Sequence, residues 1–272
     1  MAAMTTAIQR PGLGRAGVLA IAAVYFLVPL AASFWFTIHN DATGFSFSTY
    51  GDILTADGFT QSLFMSLGLG VTTIIVVLAL MLPAMLAVRL GAPRLGQVLE
   101  VVCTLPLVVP PITFVAGIST VLRWAPDQLA STPFWATLIA IQKPSFPIVL
   151  VLAYVVLATP FAYRSLDAGL RAIDVKTLVE ASRNLGAGWV TVMFRTILPN
   201  LRTSIASAAF LTMALVLGEY TVAVLLGFRP FAVWIVTISG ANAQLSVAVS
   251  LLSLILTWAL LLVVSGVGRK RT

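Results

Sequence analysis

The sequence predicts an all-α integral membrane protein: six transmembrane helices, both termini cytoplasmic, and a two-helix cytoplasmic loop between spans four and five. Three observations lead there. Of the 272 residues, 60% are hydrophobic and only 9% are charged. The mean hydropathy is +1.04. The charges cluster, leaving uncharged runs of about the 20 residues that cross a bilayer core of about 30 Å. A soluble domain carries about a quarter charged residues, so that class is excluded.

The spans follow from the gaps between charges, because a central Arg, Lys or Asp costs about 2.5–3.5 kcal/mol. The first lies within residues 16–38, the second within 58–88, the third within 101–122 and the fourth within 144–163, all uncharged. After Arg202 a fifth apolar stretch runs to Gly218, meets Glu219 and continues to Phe228. Residues 230–268 are uncharged but too long for one span, since 39 helical residues would extend about 58 Å. The sixth span is therefore expected at 246–268. Before it, Ser239-Gly240-Ala241-Asn242 is a turn signal that closes an outer half-helix or surface segment. Residues 132–141 are apolar but too short to cross, and read as an outer surface helix. The organisation expected is a cytoplasmic segment 1–15, a six-span membrane body 16–268 containing a loop at 164–202, and a basic tail 269–272. The first apolar run, 23 residues long, exceeds a signal-peptide core and is expected to be an uncleaved span.

Orientation follows from the basic residues, which short cytoplasmic loops retain. With the N-terminus inside, Arg10, Arg15, Arg89, Arg94, Arg164, Arg171, Lys176, Arg183, Arg195, Arg202, Arg269, Lys270 and Arg271 are cytoplasmic. Only Arg123, Lys143 and Arg229 lie outside, so thirteen stand against three. Residues 39–61, with Asp41, Asp52 and Asp57, then face out.

Several function classes are excluded. The net charge of +7 does not indicate nucleic acid, because the basic residues are not interleaved with stacking aromatics on a polar surface. A single cysteine, Cys103, and a single histidine, His39, assemble neither a disulfide nor a Cys/His metal site. No glycine-rich phosphate loop precedes Lys143, Lys176 or Lys270, so no nucleotide site is expected.

The loop from Arg164 to Arg202 reads as two short helices. Asp174 is a suitable N-cap, and Val175, Leu178, Ser182 and Leu185 recur at helical spacing before Gly186 stops the helix. A second apolar run from Trp189 to Leu198 ends at Pro199. A mere connection needs no apolar helical stripe, which must bury against something. A partner protein is one candidate, and the lipid headgroups, favoured by Arg171, Lys176 and Arg183, are the competing one.

The loop carries Glu180-Ala181-Ser182, then Gly186, then Leu198-Pro199. In this it resembles the membrane subunits of bacterial binding-protein-dependent ABC importers, whose loop reads Glu-Ala-Ala, three residues, Gly, nine residues, Ile-x-Leu-Pro. Ser182 replaces the second Ala, and Thr196 stands at the Ile position. The resemblance extends to Pro106, Pro110 and Pro111 in the third span, to Thr159-Pro160-Phe161 and Ala168-Gly169-Leu170, and to Leu217-Gly218-Glu219-Tyr220. It implies an ABC ATPase dimer below that binds ATP and Mg, a second homologous permease beside the chain, and an extracytoplasmic solute-binding protein above. It also implies residence in the bacterial cytoplasmic membrane and no catalysis by this chain. Glu180, Ala181, Ser182, Leu185, Gly186, Leu198 and Pro199 would form the ATPase-coupling element. Within the family, the Gly-Glu-Tyr segment and the prolines look most like the spermidine/putrescine branch, with ferric iron, sulfate and phosphonate permeases nearby.

An acid at membrane depth is by default a functional candidate. Glu219 would lie about 24 Å along a helix starting near Thr203. It is either a pathway residue, together with Tyr220, Pro106, Pro110 and Pro111, or an interfacial carboxylate that caps a helix or pairs with Arg229. A self-contained secondary transporter or channel is the alternative function, but it would show paired charges within spans or repeats.

Overall fold

The computed structural model describes residues 13–40 and 44–269. The expectations placed on Arg10, Asp41, Lys270 and Arg271 lie outside the described residues.

Helix α1 (Leu13–Ile38) contains Pro29. Its Val18, Tyr25, Phe26, Leu27 and Phe34 are all exposed. A helix apolar on every face is stable where lipid surrounds it. A small antiparallel hairpin, β1 (His39–Asn40) and β2 (Gly44–Phe45), follows, then the short α2 (Ser48–Asp52). The hairpin is the one departure from the all-helical expectation among the described residues.

Helix α3 (Phe59–Gly91) is 33 residues long. Its Ser62, Ser66, Leu69, Thr73, Val77, Met81 and Met85 are buried, a stripe stepping by three and four that marks one inward face. Next come α4 (Gly96–Thr104), a 3-10 turn (Leu105–Leu107), α5 (Pro111–Leu129) and α6 (Phe134–Ala140). Helix α7 (Ile148–Arg171) is followed by α8 (Val175–Asn184), α9 (Trp189–Thr191), a π-helical turn (Val192–Ile197) and α10 (Leu198–Asn200). The chain then forms α11 (Arg202–Gly218), α12 (Thr221–Leu225), α13 (Phe231–Ser239) and α14 (Ala243–Arg269).

The core is the mutual packing of α3, α7 and α11. Small side chains let these helices approach: Ala158 and Ala162 on α7 and Ala208 on α11 are fully buried. The closest approach is at Gly169, where a Cβ would lie 2.6 Å from Ser204 Cβ and would also clash with Ser204 Oγ. At the loop end, Arg89 of α3 reaches α7: its Nη2 meets Asp167 Oδ1 at 2.7 Å and its Nη1 donates to Leu170 O at 3.0 Å. Asp167 Oδ2 also accepts from Arg171 Nε at 2.7 Å. A second cluster at the hairpin end gathers Ile53, Phe231, Trp234, Leu245 and Val249. There Ser66 Oγ accepts from Phe231 N–H at 2.7 Å, and Trp234 Nε1 donates to Asp57 O at 2.9 Å.

Among the described residues, three helical segments are long and apolar enough to cross a bilayer, Gly17–Ile38, Phe59–Gly91 and Ile148–Arg171. The expected third span is not one straight helix. Pro93–Leu107 and Pro111–Pro126 meet at 95°, because Pro110 and Pro111 remove amide donors and hold the preceding residues out of the α region. The expected fifth span begins at a 79° bend from the loop segment Trp189–Asn200 into Arg202–Gly218, and α11 stops at Gly218 instead of running to Phe228. Helix α7 continues past Tyr163 through Arg164 to Arg171, held by the Asp167–Arg171 pair at i,i+4 and by Arg89 across the bundle. The half-helix before the Ser239–Asn242 turn and the short helix within 132–141 are found as α13 and α6.

The α7–α11 contact predicts that Gly169→Ala, measured by thermal unfolding in detergent, loses about 1–3 kcal/mol from overpacking. Gly117→Ala in α5, where a Cβ meets nothing within 4 Å, should lose nothing.

Candidate functional site

The motif residues all lie between α7 and α11. Asp174 caps α8: its Oδ1 accepts from Thr177 N–H at 3.2 Å and its Oδ2 from the Thr177 hydroxyl at 2.7 Å. These two bonds, the hydroxyl first, hold the Asp174 carboxyl below the usual carboxylate range. At the other end Gly186 takes φ +82°, a left-handed conformation that suits glycine. Gly186 N–H donates to Arg183 O at 2.9 Å and Ala187 N–H to Ser182 O at 3.1 Å, which satisfies the last carbonyls of α8.

The expected stripe Val175, Leu178, Ser182 and Leu185 is not uniformly buried or exposed. Val175 and Val179 are buried, Leu178 and Ser182 half-buried, and Leu185 is 89% exposed. Leu185 follows the helix end, so the turn at Gly186 rotates it away from the stripe, while Val179 fills the inward position. Val175, Val179, Val192, Ile197 and Leu201 join Leu166 and Leu170 of the bundle in a single cluster. The loop is therefore packed onto the bundle on one side. On the other it presents Leu185, Trp189 (60% exposed), Val190 (73%) and Phe194 (66%). The Arg183 guanidinium lies 5.3 Å from the Trp189 ring centroid.

Glu180 is exposed and its Oε1 lies 4.0 Å from Lys176 Nζ; Ala181 beside it is exposed too. Ser182 Oγ donates to Leu178 O at 2.8 Å and meets Thr196 Oγ1 at 2.9 Å. Leu198 is half-buried, and the second helix ends at Asn200, one residue past Pro199, where the chain bends by 79° into α11. A cavity of about 530 Å³ lies between this loop and the end of α3, lined by Pro83, Leu86, Leu90, Val179, Trp189 and Val192.

The other candidates lie elsewhere. Glu219 ends α11 in extended backbone, and its Oε1 accepts from Val222 N–H at 2.7 Å, capping α12. Tyr220 is exposed beside it. Pro106, Pro110 and Pro111 lie at the break between α4 and α5, where Pro110 and Pro111 are exposed and Pro106 is half-buried. The structure does not bring these prolines and the loop motif together. Unforeseen from sequence are the Arg89–Asp167–Arg171 network and three fully buried hydroxyls that find no hydrogen-bond partner among the described residues: Thr73 on α3, Tyr154 on α7 and Thr212 on α11. By contrast, Thr120, Thr159 and Thr237 each donate to the carbonyl four residues back. The i,i+4 spacing of Asp167 and Arg171 was visible in sequence, but Arg89 is 78 residues from Asp167.

Residues 79–269, more than half of the chain, match the family model described as "Binding-protein-dependent transport system inner membrane component". No curated protein matches the chain.

Two predictions follow from the caps. The Asp174 cap is fully present above the ordinary Asp value of about 3.9, and is lost as pH falls below that through the depressed folded value. Amide exchange at Thr177 should therefore accelerate only in that acidic window. Glu219→Gln keeps an acceptor oxygen and should preserve exchange protection at Val222, while Glu219→Ala should lose it.

Proposed function

The chain belongs to the family of binding-protein-dependent transport system inner membrane components, and from this we propose that it forms half of an ATP-driven import pathway whose loop at α8–α10 docks a separate ABC ATPase. The observation that carries the docking role is the two-sided loop: one side joins the bundle core, and the other exposes Leu185, Trp189, Val190 and Phe194. An apolar platform on a polar loop marks an interaction surface. Exposed Ala181 permits close approach, and exposed Glu180 offers a charge to a basic partner group.

The wider assembly in this proposal has six spans with both termini cytoplasmic, resting on the charge asymmetry. The bent third segment and α11 count as spans, and α14 is the sixth. A second homologous permease completes the pathway, a solute-binding protein delivers the solute from outside, and the lipid of the bacterial cytoplasmic membrane surrounds the exposed faces such as that of α1. ATP and Mg belong to the ATPase, and this chain performs no catalysis. Domain limits of 1–15, 16–268 and 269–272 go with this topology. The two-helix element proper is narrower than 164–202, running from Val175 to Asn200.

For the solute, we favour a polyamine of the spermidine/putrescine kind. Support comes from Gly218-Glu219-Tyr220 and from one acid near the end of the bundle, of which Val222 N–H engages one oxygen. The prolines at the α4–α5 break and Tyr220 belong to the same proposed pathway. Motion of the ATPases would move α8–α10, and through the shared core α7 and α11, so that the bundle exchanges inward-open and outward-open states.

The test is co-purification in detergent with candidate ABC ATPase subunits. Burying one Leu is worth about 1.5–3 kcal/mol, so Leu185→Glu should weaken ATPase binding by tenfold or more without lowering the thermal midpoint. Gly186→Pro, which cannot adopt the left-handed turn, should abolish it. Failure of the native chain to bind any ATPase, or indifference to both changes, favours a self-contained secondary transporter or channel.

A further inference from the structure

The two positions at which the loop departs from Glu-Ala-Ala … Ile-x-Leu-Pro are Ser182 and Thr196, fourteen residues apart and on different helices. Their hydroxyl oxygens lie 2.9 Å from each other. We propose that Ser182 and Thr196 form a hydroxyl clasp that fixes the angle between α8 and the π-helical turn, making the pair positioning residues for the ATPase-docking platform. This rests on the reading of the loop as the ATPase dock.

The direction of the clasp follows from the proton inventory. Each hydroxyl has one proton to give. Ser182 gives its proton to Leu178 O at 2.8 Å, so Thr196 is the donor in the 2.9 Å contact. The result is a relay, Thr196 to Ser182 to Leu178, that runs from the second helix into the backbone of the first. Both residues are half-buried, so water screens the relay only in part. Thr196 is also anchored from its own side, since its carbonyl accepts from Asn200 Nδ2 at 2.7 Å. The π turn places Thr196 against α8, and such turns mark local departures from regular helix geometry at functional positions.

The platform depends on that angle. Leu185 follows α8 directly, whereas Trp189, Val190 and Phe194 belong to the second helix, so they form one surface only while the two helices are held in register. Besides the apolar packing of Val175 and Val179 with Val192 and Ile197 in one buried cluster, the other polar side-chain tie identified between the two helices among the described residues is Arg183 over Trp189, 5.3 Å apart, on the exposed side where such contacts are weak.

The relay makes the consequences of substitution unequal. Ser182→Ala strips the acceptor from Thr196 and leaves its donor unpaired in a half-buried contact. Thr196→Val leaves Ser182 still bonded to Leu178 O. Removing both leaves methyl against methyl, and replacing both partners with apolar groups of similar shape is nearly neutral. The two departures from the motif are thus one coupled change.

The experiment is a double-mutant cycle on ATPase affinity in detergent, with the thermal midpoint measured in parallel to establish that each variant folds. Ser182→Ala should weaken binding about tenfold and Thr196→Val about threefold, while the double variant stays within about threefold of native. Thr196→Ser, which keeps the hydroxyl, should bind as the native chain does. A double variant that loses the product of the two single effects, or a Ser182→Ala chain with native affinity, overturns the clasp. Should the native chain bind no ATPase, the docking reading fails on its own. The clasp is then decided by amide exchange at Ala187, whose N–H bonds to Ser182 O. Exchange accelerated in Ser182→Ala and restored in the double variant supports the clasp, and unchanged exchange overturns it.

Discussion

The close contact of α7 with α3 and α11 is the constraint on which the rest depends. In lipid there is no hydrophobic drive between apolar helices, so association rests on packing and on hydrogen bonds made inside. Ala158, Ala162, Gly169 and Ala208 supply the packing. Arg89 supplies the polar part by giving protons to Asp167 and to the carbonyl of Leu170, one of the α7 terminal carbonyls that would otherwise lack a partner. This tie fixes where α7 ends and in which direction the chain leaves for α8. The position of the loop is thereby set by the bundle, and any push on the loop is felt by it.

That continuity gives the loop its mechanical sense. Leu170, Val175, Val179, Val192, Ile197 and Leu201 form an unbroken buried seam from α7 through the loop to α11. Packed interiors deform little, so the loop and the ends of the two core helices move as one body. The bend before α11, at Leu201, lies within this body, and the bend before α5, at Pro110, precedes it in the chain. Bent segments leave backbone groups to be satisfied locally, which is tolerated where protein or a cavity surrounds them.

Much of this was legible in the residue order. Uncharged run lengths located α1, α3 and α14 to within a few residues, because the cost of a charge in lipid is large and local; for α7 the run stops at Tyr163, whereas the helix continues eight residues through Arg164 to Arg171. Asp174 and Gly186 marked the ends of α8 since caps are short-range chemistry, and the Ser239–Asn242 turn was visible for the same reason. The prolines between α4 and α5 were noted, but the size of the bend at them, 95°, was not legible, because a charge-gap argument counts length and not direction. Leu185 lies one residue past the end of α8 at Asn184, so the repeat that includes it does not share one level of burial along its length. Arg89 with Asp167, and Ser182 with Thr196, are pairings across the fold that no local pattern reports. The role of Glu219 as a cap needed the helix end at Gly218 to be known first.

The most direct test of the account is side-specific labelling of the platform. In a Cys103→Ala background, which removes the one native cysteine, Leu185→Cys would be treated with a membrane-impermeant maleimide in sealed vesicles of either orientation, with and without the ABC ATPase. The account predicts labelling from the cytoplasmic face alone and its suppression by the bound ATPase. Labelling from the outer face, or labelling that the ATPase leaves unchanged, would contradict it.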